Sequence, residues 1–334
     1  MKANPILVEI TRGDLTESIH RGAYAVIKDD ASVVSSAGDI DKLTYPRSSL
    51  KPLQALPLIE TGAANRWALT DLEFAIACGS HSGEERHVTA VREWLERIGL
   101  SMINLGCGAQ QPTSTQARRY LVKNNIAPSP LYHNCSGKHA GFLSTAWHCK
   151  EPLEGYLEKN HPVQLRIKQL LSEMTLDNID VSPVAKDGCG APIFGISLRG
   201  LALAMACYGT GRGLPDARVN AAKKLYKAMT AQPFMVAGTD RWDTETMILS
   251  GSRLIVKGGA EGVYSGCIPD QGIGIALKID DGGRRAAETI MGLLLDRFGK
   301  LNPSISLKLN ALSFPPILNS NGEKVGITQI HSEV

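Results

Sequence analysis

Residues 252–280 read SRLIVKGGAEGVYSGCIPDQGIGIALKID, and their pattern decides the architecture. Three short apolar runs, SRLIVKGG, GVYSGCIP and GIGIALKID, alternate with glycine turns as consecutive antiparallel strands do. The first forty residues repeat the theme. ILVEITRG, HRGAYAVIKDD and SVVSSAGD are β-rich runs separated by charged and glycine turns, which predicts a β-meander. Between these ends the apolar spacing turns helical. Helices are expected over 48–60, 114–124, 138–148, 161–174, 198–208 and 216–231. A further helix, EERHVTAVREWLERI, is expected to be capped by Ser82-x-x-Glu85 and closed by Gly99. RRAAETIMGLLLDRFG reads as an amphipathic terminal helix.

Strands, many helices, more strands and a helix favour an α+β fold, an antiparallel sheet with flanking helices. Residues 1–44 and 250–280 supply the one sheet, 48–231 the helices, and 1–334 forms a single catalytic unit. A doubly wound parallel sheet would need strand and helix to alternate throughout, and they do not.

The 334 residues are 43% hydrophobic and 21% charged, ordinary values for a globular protein able to bury a substantial core. A net charge of +3 with scattered Lys and Arg argues against a nucleic-acid partner. No stretch approaches the roughly 20 apolar residues of a membrane helix. The N-terminal run Ile6-Leu7-Val8 is interrupted by Glu9, unlike an export signal. Seven widely spaced cysteines, an odd number, read as reduced thiols, and a cytoplasmic location is expected.

Chemistry-bearing residues gather in five places. In TYPRSSLKPLQALP (44–57), Ser48 and Lys51 lie three apart and share a face if a helix starts near Ser48. A serine hydroxyl needs a base, and lysine is one only when burial or neighbouring positive charge lowers its pKa. Pro52 opposes helical geometry at Lys51 but is tolerated in a first turn. GSHSG (79–83) puts Ser80, His81 and Ser82 on one tight connection, with His81 expected as a hydrogen-bond partner. Lys257 ends an apolar strand before two glycines, which permit close approach of a substrate or another backbone. Read alone, Ser-x-x-Lys is also a common polar helix start, and Lys257 a strand-end lysine reaching water.

HNCSGKH (133–139) and DGCG (187–190) complete the set. Cys and His at short spacing with a distant Cys are compatible with zinc, and equally with buried thiols. Cys78, Cys107, Cys149, Cys207 and Cys267 read as ordinary thiols.

Taken together, RSSLKPLQA, GSHSGEERH, NCSGKH, DGCGAP and KGGAEG resemble the rhizobial-type (class 3) L-asparaginases of the asparaginase II family. The resemblance implies a fold similar to the serine β-lactamase and penicillin-recognising enzymes. It implies hydrolysis of L-asparagine to L-aspartate and ammonia. It casts Ser48 as nucleophile with Lys51 as base, and Ser80 with Lys257 as a second Ser-Lys tandem. Arg47 and His81 become substrate-binding residues, and Cys135, Lys138 and Cys189 ligands of a zinc ion. His139 stays a rival ligand at i+4 from Cys135. A homodimer is the expected assembly. The competing readings are a glutaminase, a β-lactamase-like serine amidohydrolase, and a non-catalytic zinc-stabilised binding protein.

Overall fold

A computed structural model describes residues 3–332. Its main sheet has seven strands, six of them in the order Thr328–Ile330, Ile6–Arg12, Leu15–Lys28, Ile273–Ile279, Val263–Ile268, Ile255–Gly258. The seventh, Val33–Ala37, pairs with the second half of Leu15–Lys28. Every pairing in it is antiparallel. The register from Gly22↔Ile279 to Lys28↔Ile273 joins the N-terminal meander to the late strands. Val8↔Ile330 and Ile10↔Thr328 bring the other end of the chain into the same sheet. The fold is therefore α+β, an antiparallel sheet with flanking helices.

Helices Leu198–Thr210 and Arg284–Phe298 both pack on the central strands, and Ile273–Ile279 is buried almost throughout. At Gly274 a Cβ would collide with the Ala202 carbonyl, so only glycine lets this helix sit so close to the sheet.

The structure departs from the sequence expectations in several places, one of them strand Thr328–Ile330, which joins a sheet expected from 1–44 and 250–280 alone. The predicted helix 48–60 is a 3-10 turn, Arg47–Leu50, followed by two short helices, Lys51–Gln54 and Leu56–Glu60. Each short helix carries a proline in its first two positions, where the missing N–H interrupts the ladder. Lys51 is helical (φ −57, ψ −36) despite Pro52. The expected helix EERHVTAVREWLERI forms as Glu85–Arg97, but its cap is Glu84, whose N–H donates to His87 Nδ1 at 3.2 Å, rather than Ser82-x-x-Glu85; Ser82 donates to Glu84 instead. The helical region also holds a small hairpin, Val184–Lys186 with Pro192–Phe194. Finally, helices Asp71–Ala77, Trp242–Ser250 and Pro303–Ser313 went unassigned in the sequence.

Helix Ser136–His148 crosses Asp71–Ala77 closely enough that a Cβ on Gly137 would strike the Ile76 carbonyl. Gly141, one turn on, has nothing nearer than 3.7 Å. Gly137→Ala is therefore expected to lower stability by about 1–3 kcal/mol through overpacking. Gly141→Ala should be neutral or raise it by up to about 1 kcal/mol, since alanine favours the helix. Urea midpoints of the two variants check the contrast, and equal shifts would contradict it.

Candidate active site

The site is built where the Arg47–Leu50 turn meets the edge of the sheet. Lys257 and Ser265 are directly paired across neighbouring strands and so share a face. Ser265 Oγ donates to the Ser49 carbonyl at 2.7 Å, and Ser49 Oγ to the Pro46 carbonyl at 2.6 Å. A Cβ on Gly259 would lie 2.9 Å from the Pro46 carbonyl and 3.4 Å from the Ser48 nitrogen. The glycine after the strand is thus what lets the turn dock. Arg47 adopts φ +51, an unusual left-handed conformation for a residue with a side chain. Such strain is retained where the surroundings over-determine it, here immediately before Ser48.

Ser48 lines a cavity of about 390 Å³, together with Asn134, Cys135, Asp187 and Cys189. Lys51 follows the 3-10 turn that carries Ser48 and opens the next short helix. Its amine is fully buried and donates to the carbonyls of Gly79 and Asn134, the latter at 3.1 Å. Ser80 Oγ lies 3.0 Å from the same nitrogen. Burial lowers the Lys51 pKa and nearby Lys138 adds to this, against the pull of Cys135.

The hydroxyl hydrogen-bonded to Lys51 is therefore that of Ser80. Among the described residues no hydrogen bond joins Lys51 to Ser48, or Ser80 to Lys257. Lys257 instead donates to the Gly258 carbonyl, and burial lowers it to about 7 against the opposing charge of Asp243. Asp243 is fixed by the Gly258 N–H at 2.6 Å and the Tyr264 hydroxyl at 3.1 Å.

The structure places His81 behind the cavity wall. It is fully buried, accepts from the Gly83 N–H at Nδ1 (3.2 Å) and so donates from Nε2 to Ser136 Oγ (2.8 Å). Burial holds its pKa well below the ordinary 6.5. What His81 touches is the start of helix Ser136–His148, the element that carries Lys138. Arg47 reaches the cavity but directs Nε at Asp187 Oδ1, 2.6 Å away.

Cys135 caps the start of that helix, and Asp187 and Cys189 sit on the hairpin loop. The loop is closed by Asp187 N–H to Ala191 O (2.8 Å), with Gly190 at φ +83 supplying the turn. One ligand atom each from Cys135, Asp187 and Cys189 lies within 4.8 Å of the others, and Lys138 Nζ is 3.1 Å from Cys189 Sγ. The hydrogen bond from Cys189 holds the Cys135 thiol well below its ordinary value, and the charges of Lys51 and Lys138 assist. Cys189 keeps its proton. Burial alone would lower Lys138, but Cys189, Cys135 and Asp187 outweigh it and raise its pKa. Two sulfurs and a carboxylate are donors that suit zinc, whereas Lys138, kept charged by these neighbours, would have to lose a proton to join them.

His139 is not part of this cluster's bonding. Its Nδ1 pairs with the Tyr156 hydroxyl at 2.6 Å, and its buried Nε2 has no partner. Asp187 is the donor that the sequence did not single out as a ligand. Its only signal there is its place two residues before Cys189.

A serine lining a cavity, beside a segment that carries a buried lysine bonded to a second serine hydroxyl, suits acyl transfer, and the class this points to is the amidohydrolases. The chain belongs to the L-asparaginase II family, whose model matches residues 8–330. No curated protein sequence matches the chain. Among solved structures it is similar to a putative β-lactamase from Bacteroides dorei, at 16% identity and TM-score 0.40, covering 78% of this chain and 85% of that one. A β-lactamase from Mycobacterium bovis matches at 13% identity and TM-score 0.31, covering 87% and 94%. A structure described as Mglu matches at 16% and 0.38, covering 85% and 68%.

The Lys257 shift has a readable sign. The unfolded chain takes up this proton near the ordinary 10.5 and the folded one near 7, so stability rises with pH between those values. Lys257→Met abolishes that dependence. Its stability relative to the parent should be higher at pH 6 than at pH 10, measured by denaturant midpoints. A difference independent of pH would contradict the shift.

Proposed function

We propose that this amidohydrolase is an L-asparaginase, hydrolysing L-asparagine to L-aspartate and ammonia through Ser48. The observation that carries the reading is the Lys51 amine. A neutral amine has two N–H donors and one lone pair, and its surroundings offer two carbonyls and one hydroxyl. These partners do not by themselves choose a protonation state; burial, which lowers the Lys51 pKa, is what favours the uncharged form able to take a proton.

In this mechanism Ser48 Oγ attacks the side-chain amide carbon and its proton passes to Lys51. The carbonyl oxygen becomes an oxyanion that fixed backbone N–H groups beside Ser48 would hold, although the Ser49 N–H is already given to the Pro46 carbonyl at 3.2 Å. The C–N bond then breaks, ammonia leaves with the proton, and water hydrolyses the aspartyl ester. Ser80, on Lys51, relays protons, and Lys257 supplies a second amine near neutrality. Arg47 orients the substrate from the cavity rim.

Cys135, Cys189 and Lys138 would hold zinc, with Asp187 as the competing donor, because Lys138 must lose a proton to ligate. Bound there, zinc would supply positive charge beside the cavity. No helix among the described residues is long and apolar enough to cross a membrane, and all seven cysteines are free thiols, which suits a reducing cytoplasm. A homodimer is the proposed assembly.

Ammonia release from L-asparagine, beside L-glutamine and a chromogenic cephalosporin, tests the reading. Ser48→Ala should lose roughly 10³-fold or more in turnover, and Ser80→Ala about 10²–10⁴-fold. Turnover of Ser48→Ala within tenfold of the parent would sink the assignment. A chelator that abolished turnover at saturating substrate would make the metal catalytic.

A further inference from the structure

Two side chains on the cavity wall have their orientation set from behind. The backbone N–H of Asn134 donates to Gln110 Oε1 at 3.2 Å, and that of Cys135 donates to His133 Nδ1 at 3.0 Å. An N–H needs an acceptor, so each bond decides an otherwise ambiguous assignment. The Gln110 oxygen faces the backbone, leaving its NH₂ as the free end. The His133 proton sits on Nε2. Both residues line the cavity that Ser48 lines. Consecutive amides at the foot of helix Ser136–His148 thus turn two amphoteric side chains into donors.

We propose that Gln110 and His133 form the subsite for the α-carboxylate of the substrate. A carboxylate accepts hydrogen bonds and donates none, which is the complement of this pair. Hydrogen bonds to a charged group are the stronger kind. Arg47 is the other cation at hand, but its Nε is taken by Asp187, whose charge offsets its own. The pair makes the site selective for amides of an α-amino acid over simple amides.

This inference rests on the asparaginase reading for its substrate but not for its test, which measures binding. L-aspartate carries the α-carboxylate, and L-isoasparagine, its α-amide, keeps everything else. The parent should bind L-aspartate more tightly. Gln110→Leu and His133→Leu should each weaken L-aspartate by about 10- to 100-fold and L-isoasparagine by less than twofold, read by calorimetry. Gln110→Glu keeps an acceptor for the Asn134 N–H, so it serves where the leucine variant fails to fold, and it should repel the carboxylate outright. His133→Asn, which retains an acceptor and a donor, should recover part of the loss.

A parent that does not discriminate the two ligands overturns the subsite. So do folded variants that keep the parental ratio, or that weaken both ligands equally. Loss of discrimination in a protein that releases no ammonia from L-asparagine would uphold the carboxylate subsite and refute the asparaginase reading. Ammonia release with the ratio unmoved would do the reverse.

Discussion

The arrangement of this site depends on burying one lysine amine. Lys51 has no exposed surface and is surrounded by two carbonyls and a hydroxyl, with no carboxylate against it. Burying a cation is costly, and here that cost outweighs the opposing pull of Cys135, which also bonds the amine, so the Lys51 pKa falls. Nearby Lys138 pushes the same way. The elements around it exist to make that burial possible: Gly79, Gly137 and Gly259 each allow a backbone approach that a Cβ would block.

Two electrostatic centres follow from this constraint and remain separate. Around Lys51 and Lys257 burial wins and amines lose charge. Around Lys138 the sulfurs and Asp187 win and the amine keeps it. The same residue type is pushed in opposite directions within one pocket, by what each nitrogen touches. Cys135 belongs to both centres, since its charge opposes the shift at Lys51 and supports the one at Lys138. A metal on the thiols would therefore be felt at the serine without touching it.

The sheet was legible because its signal is local. The alternation over 252–280 places all three late strands, and the apolar period over 216–231 coincides with the observed helix Asp216–Ala231. Asp71–Ala77 and Trp242–Ser250 were harder, being two or three turns long and buried, without an amphipathic stripe to mark them. Strand Thr328–Ile330 has three residues and takes its identity from Ile6–Arg12, over three hundred positions away. Of the site, the residue types and their convergence could be read, but not their pairing. Spacing suggests that Lys51 serves Ser48, whereas the hydrogen bond goes to Ser80, which only the crossing of separate segments could reveal. Gln110 and Asp187 were passed over for the same reason, as their meaning comes from partners distant in sequence.

The claim beneath all of this is that position 51 presents an uncharged amine. It is tested most directly by following the Lys51 side-chain carbon next to nitrogen by NMR across a pH titration, with Lys51→Met for assignment. The account predicts a resonance that titrates at lower pH than the surface lysines. A Lys51 signal that titrates with the surface lysines, near the ordinary 10.5, would contradict it.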